Sequence, residues 1–261
     1  MAGAAFVPGG LGEPRVAVVN QRRGLVTGAG SGIGRAAAIE FARTGAAVGV
    51  LDIDEAAAVE TVELIKKDGG EALAVQVDIG DESSVQAAIK QTVEAYGGLD
   101  FAVNNAGVSS RQRVDQLTLA EFERVVQVNL SGTFLCLKYE LPHLHGGAIV
   151  NVASNGGLYA IPNAPAYVAT KHGIVGLTKV AAVDYAADGI RVNAVCPGPT
   201  RTPGFDQWAG DPGMIARQEA ITPLGRLATP EEAAAAMVWL CSDAASYVTG
   251  TTLSVDGGRR A

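Results

Sequence analysis

The strongest constraint on this chain is a rhythm. From residue 22 onward, short β-branched and apolar runs alternate with amphipathic stretches of helical length. A chain that repeats strand, helix and strand in this way returns each strand to the sheet in the same direction, so its strands pair in parallel. The pattern predicts strands at 24–27, 47–52, 72–77, 101–103, 148–152, 191–195 and 252–255, and helices at 32–44, 55–68, 83–96, 119–141, 165–187 and 230–241. The expected fold is α/β: a single three-layer domain of Rossmann type, a mostly parallel seven-stranded sheet with helices on both faces. At 261 residues and 48% hydrophobic, the chain can fill one such core but would be cramped by a second.

Two stretches break the rhythm. Residues 1–21 read as an N-terminal extension, rich in Gly, Ala and Pro at first and carrying a small apolar run from Val16 to Val19; 22–261 read as the domain. Residues 199–226 are rich in Pro and Gly, with Phe205, Trp208 and Met214 among them, and read as a mobile lid whose partly apolar face would help choose a substrate.

Charge and cysteine usage exclude several classes. The formal net charge is -7, with acidic and basic residues scattered rather than blocked, which argues against nucleic acid and anionic membrane as partners. Apolar runs are too short to cross a bilayer, and the N-terminus lacks the pattern of a secretory signal, so a cytoplasmic chain is expected. Cys136, Cys196 and Cys241 are odd in number and far apart, as buried structural thiols would be. His143 and His145 lie near a helix C-terminus with no third ligand close in sequence, so no metal site is expected.

The first strand runs straight into Gly28-Ala29-Gly30-Ser31-Gly32-Ile33-Gly34 and then into a helix. Glycine stands where the backbone must turn tightly and approach a ligand, and the helix N-terminus beyond offers free N–H groups to a pyrophosphate. At the end of the second strand Asp52 can accept hydrogen bonds from ribose hydroxyls and repel the extra phosphate of NADP. Ser31 rather than a basic residue precedes Gly32, and no Arg or Lys directly follows Asp52. The cofactor is therefore expected to be NAD. Asp78, with Ile79 after it, is the analogous candidate for the adenine end, or a simple turn cap.

At the other end, Tyr167 and Lys171 are one turn apart on a predicted helix, so phenol and ammonium share a face. An adjacent cation favours the phenolate and makes tyrosine a better base at neutral pH. Ser154 lies beyond the end of the strand at 148–152, where open parallel sheets bind ligands. Taken together these residues resemble the short-chain dehydrogenases/reductases, from about residue 22 to 258. The glycine motif is similar from Thr27 to Gly34, the second hallmark at Asn104-Asn105-Ala106-Gly107, the serine and tyrosine-lysine hallmarks at Ser154, Tyr167 and Lys171, the helical asparagine at Asn129, and the Pro-Gly segment at Pro197-Gly198 followed by Thr202.

The resemblance implies an oxidoreductase moving a hydride between NAD(H) and a small-molecule secondary alcohol or ketone. It implies that Asn129, Ser154, Tyr167 and Lys171 are catalytic, with Asn129 anchoring a water. Asn105, Ala106 and Gly107 would line the adenosine side, and Pro197, Gly198, Thr200 and Thr202 the nicotinamide carboxamide. Leu158, Tyr159, Phe205 and Trp208 suggest a modestly apolar substrate wall around Ser154 and Tyr167. The resemblance further implies a homotetramer paired through 119–141 and 165–187. The alternatives are an NADPH-dependent 3-oxoacyl-[acyl-carrier-protein] reductase, which would want basic residues near Ser31 or Asp52, and a non-catalytic dinucleotide-binding regulator, which should have lost part of the tetrad. The chain departs from the family at Arg22 and Arg23, which leave the first strand short and its start irregular, and at Thr200, where an aliphatic residue is usual.

Overall fold

Residues 22–210 and 212–261 are described by a computed structural model; the extension at 1–21, with Val16 to Val19, lies outside them. The strands are β1 (Arg23–Thr27), β2 (Ala47–Asp52), β3 (Glu71–Gln76), β4 (Leu99–Asn104), β5 (Leu144–Val152), β6 (Ile190–Pro197) and β7 (Thr252–Val255). They form one sheet in the order β3-β2-β1-β4-β5-β6-β7, and every adjacent pair is parallel. All seven predicted strands are present, in a sheet that is wholly rather than mostly parallel. The helices are α1 (Gly32–Arg43), α2 (Glu55–Lys67), α3 (Glu82–Tyr96), α4 (Leu119–Val126), α5 (Gly132–Glu140), α6 (Pro165–Asp184), α7 (Pro203–Ala209), α8 (Pro212–Ala220) and α9 (Pro230–Cys241).

Alternation along the strands feeds two cores. Val26, Phe101, Val103, Ala148 and Val150 pack with α1, α2 and α9, while Leu25, Ala102 and Ile149 face α3, α5 and α6. Strand order reverses between β1 and β4, so a crevice opens there beyond the carboxyl ends of the strands.

Three expectations need correction. The start of β1 is regular, with Arg23 in register with Ala47. Its charge is met by Asp100 on the neighbouring strand, whose Oδ2 accepts from the Arg23 backbone N–H at 2.8 Å and from Nε at 3.0 Å; Arg22 binds the Cys241 carbonyl at 2.7 Å and pairs with Asp243. The helix at 119–141 is interrupted by a π-helical turn, Gln127–Ser131, where the Gly132 N–H reaches back to the Gln127 carbonyl. The segment at 199–226 carries α7 and α8 rather than bare loop. Pro203 sits in the first turn of α7, where Thr202 caps the helix by accepting from the Phe205 N–H at 3.0 Å, and Gly210 ends it in the left-handed region.

Candidate active site

The glycine loop owes its shape to close approach. A Cβ on Gly34 would lie 2.1 Å from the Gly28 carbonyl oxygen, and one on Gly28, at φ +63°, would lie 2.8 Å from Ala106 Cα. Thr27 Oγ1 accepts from the backbone N–H groups of Asn105 and Ala106 at 3.0 and 3.1 Å. Asn105 Nδ2 returns bonds to the Thr27 and Gly28 carbonyls at 3.1 and 3.2 Å. The two lips of the crevice, after β1 and after β4, are thus stitched together. The side chain of Asn105 is committed to the loop itself.

The dinucleotide fits this loop on an observation of helix ends. Asp54 and Asp81 cap α2 and α3 with their own carboxylates, whereas Ser31 makes no side-chain cap on α1 and the first turn of α1 holds no acidic residue. The N–H groups after Gly32 and the positive end of α1 are left open toward the crevice, as a pyrophosphate requires. A Cβ on Gly32, at φ +55°, would meet Thr202 Cγ2 at 3.2 Å, so the threonine after Pro197 and Gly198 reaches the same loop from the far side. Thr200 is buried and bridges to Ala228. At the adenosine end Asp52 Oδ2 accepts from Gly30 N–H at 2.7 Å and Oδ1 from Asp54 N–H at 3.0 Å. Exposed Asp78 ties its own turn through Gly80 N–H at 2.8 Å, and Ile79 packs against Gly132, where a Cβ would meet the Ile79 carbonyl at 2.8 Å.

The chemistry gathers where β5 meets α6. The hydroxyl of Ser154 stands close to the phenol of Tyr167; Ser154 Oγ donates to Asn155 Oδ1 at 3.2 Å and accepts from the Gly156 N–H at 3.0 Å. Lys171 is 4% exposed, its Nζ lies 5.6 Å from the centre of the Tyr167 ring, and it donates to the Val152 carbonyl at 2.8 Å. Burial lowers the Lys171 ammonium to about 8. Burial likewise pushes the Tyr167 phenol above its ordinary value, the nearby Ser154 hydroxyl offsetting part of the rise.

Asn129 is fully buried in the π turn. Its Oδ1 accepts from Val108 N–H at 2.8 Å, and its Nδ2 donates to the Val108 carbonyl at 2.8 Å and to Thr170 Oγ1 at 3.2 Å. Both hydrogens of its side-chain amide are thus engaged. What this side chain does is clamp the strand leaving Gly107 to the turn of α6 between Tyr167 and Lys171. Around Ser154, Leu158 and Tyr159 are half-buried, and Phe205 on α7 is likewise half-buried. Trp208 is on the same helix, its side chain outside the described ones. A surface hollow of about 630 Å³ among Leu141, Leu144, His145, Tyr185 and Ile190 lies at the amino ends of β5 and β6, opposite these groups.

With the geometry in place, comparison with known proteins decides the family. A family profile described as Enoyl-(Acyl carrier protein) reductase matches residues 28–260. The chain is 44% identical over 240 residues to 2,5-dichloro-2,5-cyclohexadiene-1,4-diol dehydrogenase of Sphingobium indicum, covering 90% of this chain and 95% of that one. It belongs to the short-chain dehydrogenases/reductases. Cyclohexanol dehydrogenase of an Acinetobacter species is 41% identical over 242 residues, covering 91% and 94%. The crystal structure of a putative 2-deoxy-D-gluconate 3-dehydrogenase of Agrobacterium tumefaciens with bound NADP superposes with a TM-score of 0.87 at 34% identity, covering 94% and 99%. As a short-chain dehydrogenase/reductase the chain is an oxidoreductase that works with a nicotinamide dinucleotide.

The structure gives several side chains around these groups contacts that the sequence did not show. Thr27 clamps the second hallmark, and Asn155, next to Ser154, donates to the Tyr159 hydroxyl. Arg35, a cation beside the adenosine end, donates to the Gly30 carbonyl at 2.9 Å and to Glu60 at 2.7 Å. Arg35 stands one turn inside α1, from where its side chain reaches back to the glycine loop. No helix among the described residues is long and apolar enough to cross a membrane, and Cys136, Cys196 and Cys241 are buried and free.

Proposed function

We propose that this enzyme is an NAD-dependent secondary-alcohol dehydrogenase and ketone reductase acting on small, modestly apolar ring substrates. The observation that carries the reading is the meeting of Ser154 and Tyr167 beyond the carboxyl end of β5, with the buried Lys171 ammonium 5.6 Å from the centre of the Tyr167 ring. In the oxidative direction Tyr167 takes the proton of the substrate hydroxyl, and Ser154 donates a hydrogen bond to the oxygen as charge develops on it. In reduction the protonated phenol gives its proton to the new alkoxide oxygen. The nicotinamide, when bound, accepts or supplies the hydride. Lys171 would hold the nicotinamide ribose hydroxyls and turn its charge toward the phenol, Pro197, Gly198, Thr200 and Thr202 would hold the carboxamide, and Asn129 fixes the wall between them.

Support for a ring substrate comes from relatives named for a cyclohexadienediol and cyclohexanol. Support for NAD comes from Asp52, whose carboxylate, held by Gly30 and Asp54, would stand against a 2′-phosphate, and from Arg35, already paired with Glu60. The NADPH-linked reduction of a carrier-bound acyl chain has the wording of the family description in its favour and this carboxylate against it. The exposure of Phe134 on α5 and of Val180 and Val183 on α6, at 49%, 60% and 78%, supports pairing of these helices with a second copy in a homotetramer. Buried free thiols support a reducing, cytoplasmic setting. Tyr167→Phe should lower turnover of cyclohexanol with NAD by several orders of magnitude while NADH binding stays measurable by fluorescence; full activity in that variant would remove the proposed acid and base.

A further inference from the structure

Beneath the crevice lies a buried polar ladder with one proton too few. Glu140, in the last turn of α5, is 0% exposed, and its Oε2 accepts from Asn104 Nδ2 at 3.0 Å. The other hydrogen of that amide goes to Asn151 Oδ1 at 3.0 Å, Asn151 Nδ2 donates to Thr178 Oγ1 at 3.0 Å, and Thr178 donates to the Ile174 carbonyl at 2.8 Å. Each donor atom of the ladder has a partner. Two buried acceptors remain with no partner, Glu140 Oε1 and Asn104 Oδ1, and they belong to the two groups that already touch. Buried polar atoms left unpaired are costly, and a buried carboxylate without a cation is costlier.

Among the described residues the surroundings of Glu140 supply no cation. The titratable group coupled to Glu140 is Cys136, one turn back on α5; Asn104 on β4, Asn151 on β5 and Thr178 on α6 are neutral, and the buried face of α3 is Val85, Ala88, Ile89 and Thr92. Burial pushes the Glu140 carboxyl up to about 7, its bond to Asn104 offsetting only part of that. We propose that Glu140 is held as the neutral acid, its O–H donating to Asn104 Oδ1, so that acid and amide close a two-bond ring that positions the cofactor segment Asn104-Asn105-Ala106-Gly107. One proton satisfies both orphaned oxygens. Asn104 is in register with Asn151 on β5, and Asn151 ties the ring to Thr178 on the helix that carries Tyr167 and Lys171. Glu140 is thus a positioning residue, and the pH that removes its proton loosens the seat of the dinucleotide.

The part concerning the cofactor rests on the function proposed above; the proton itself does not. Infrared spectra of the wild-type protein minus those of Glu140→Gln should show the carbonyl band of a protonated carboxylic acid, present at pH 6 and gone by pH 9. The Gln variant supplies an N–H in place of the O–H, so it should keep the ring, and its melting temperature should gain on the wild type between about pH 4.5 and 7 and hold level above. NADH affinity, read by fluorescence, should weaken from pH 6 to 9 in the wild type but not in Glu140→Gln, and should be roughly tenfold weaker in Glu140→Ala at pH 6. No protonated band at pH 6, or a Gln variant as destabilised as the Ala variant, would overturn the proton assignment; identical pH curves of NADH affinity in wild type and Glu140→Gln would overturn the positioning role.

Discussion

Replacing Lys171 by Met should stabilise the folded protein while abolishing turnover. The ammonium is held at 4% exposure, and burial lowers it from 10.5 to about 8. Keeping it charged at pH 7 therefore costs about 3 kcal/mol relative to the unfolded chain. Met fills a similar volume without charge but abandons the bond to the Val152 carbonyl at 2.8 Å, and a buried acceptor left unpaired costs about 1–3 kcal/mol. The difference favours Met by about 1 kcal/mol, a rise of about 2–4 °C for a chain of this size. The sign with pH is fixed by where protons sit. Between about 8 and 10.5 the unfolded chain holds the lysine proton and the folded protein has released it, so wild-type stability rises with pH across that window. The advantage of Met should be greatest below pH 8 and shrink toward 10.5. Melting curves of both proteins at pH 7, 8, 9 and 10, without cofactor, test this; a variant that melts below the wild type at pH 7, or a gap that does not change with pH, would refute the account of a buried charge.

Asp52→Ala removes the carboxylate proposed to read the ribose and the anchor of Gly30 N–H; the ratio of kcat/KM for NADP over NAD should rise by about tenfold or more, and an unchanged ratio would show that Asp52 does not read the ribose. Gly34→Ala sets a Cβ 2.1 Å from the Gly28 carbonyl oxygen, so NADH binding measured by fluorescence should be lost; retained affinity would mean that the loop can open. Thr27→Val deprives the Asn105 and Ala106 N–H groups of their acceptor and should weaken NADH binding roughly tenfold, which titration with NADH can contradict. Because burial holds the Tyr167 phenol high, its base form gains population as pH rises. Alcohol oxidation should therefore climb from pH 7 to 10 while ketone reduction does not, and parallel profiles in the two directions would count against Tyr167 as the shared acid and base.

The sheet was legible because its strands are set by local pattern: a β-branched run buried on both faces reads as a strand whatever its neighbours do, and the second and seventh strands match their predicted bounds end to end. The lid helices were missed for a local reason too. The stretch 199–226 is rich in Pro and Gly, yet Pro203 and Pro212 each stand in the first turn of a helix, where the missing N–H has no partner to lose. The π turn had no such signal; only the polar Asn129 in the middle of the predicted helix hinted at it. The regular start of β1 was illegible because Asp100, the group that neutralises Arg23, is far away in sequence and adjacent only in the sheet.

The same division runs through the site. Its positions were readable, because a glycine loop, an acid at a strand end and a tyrosine-lysine pair one turn apart are local arrangements with local chemistry. The partners of its side chains were not, because each is chosen across the fold. Asn105 faces back to Thr27 and Gly28, Asn129 across to Val108 and Thr170, and Lys171 to the end of β5. Each of these bonds fixes a backbone segment beside the crevice rather than reaching into it. In the reaction proposed above Ser154, Tyr167 and Lys171 act on substrate and nicotinamide, while Asn105 and Asn129 hold the walls of the crevice in place. For this reason substitution at Asn105 or Asn129 should show first in cofactor affinity and melting temperature, whereas substitution at Tyr167 should show first in turnover.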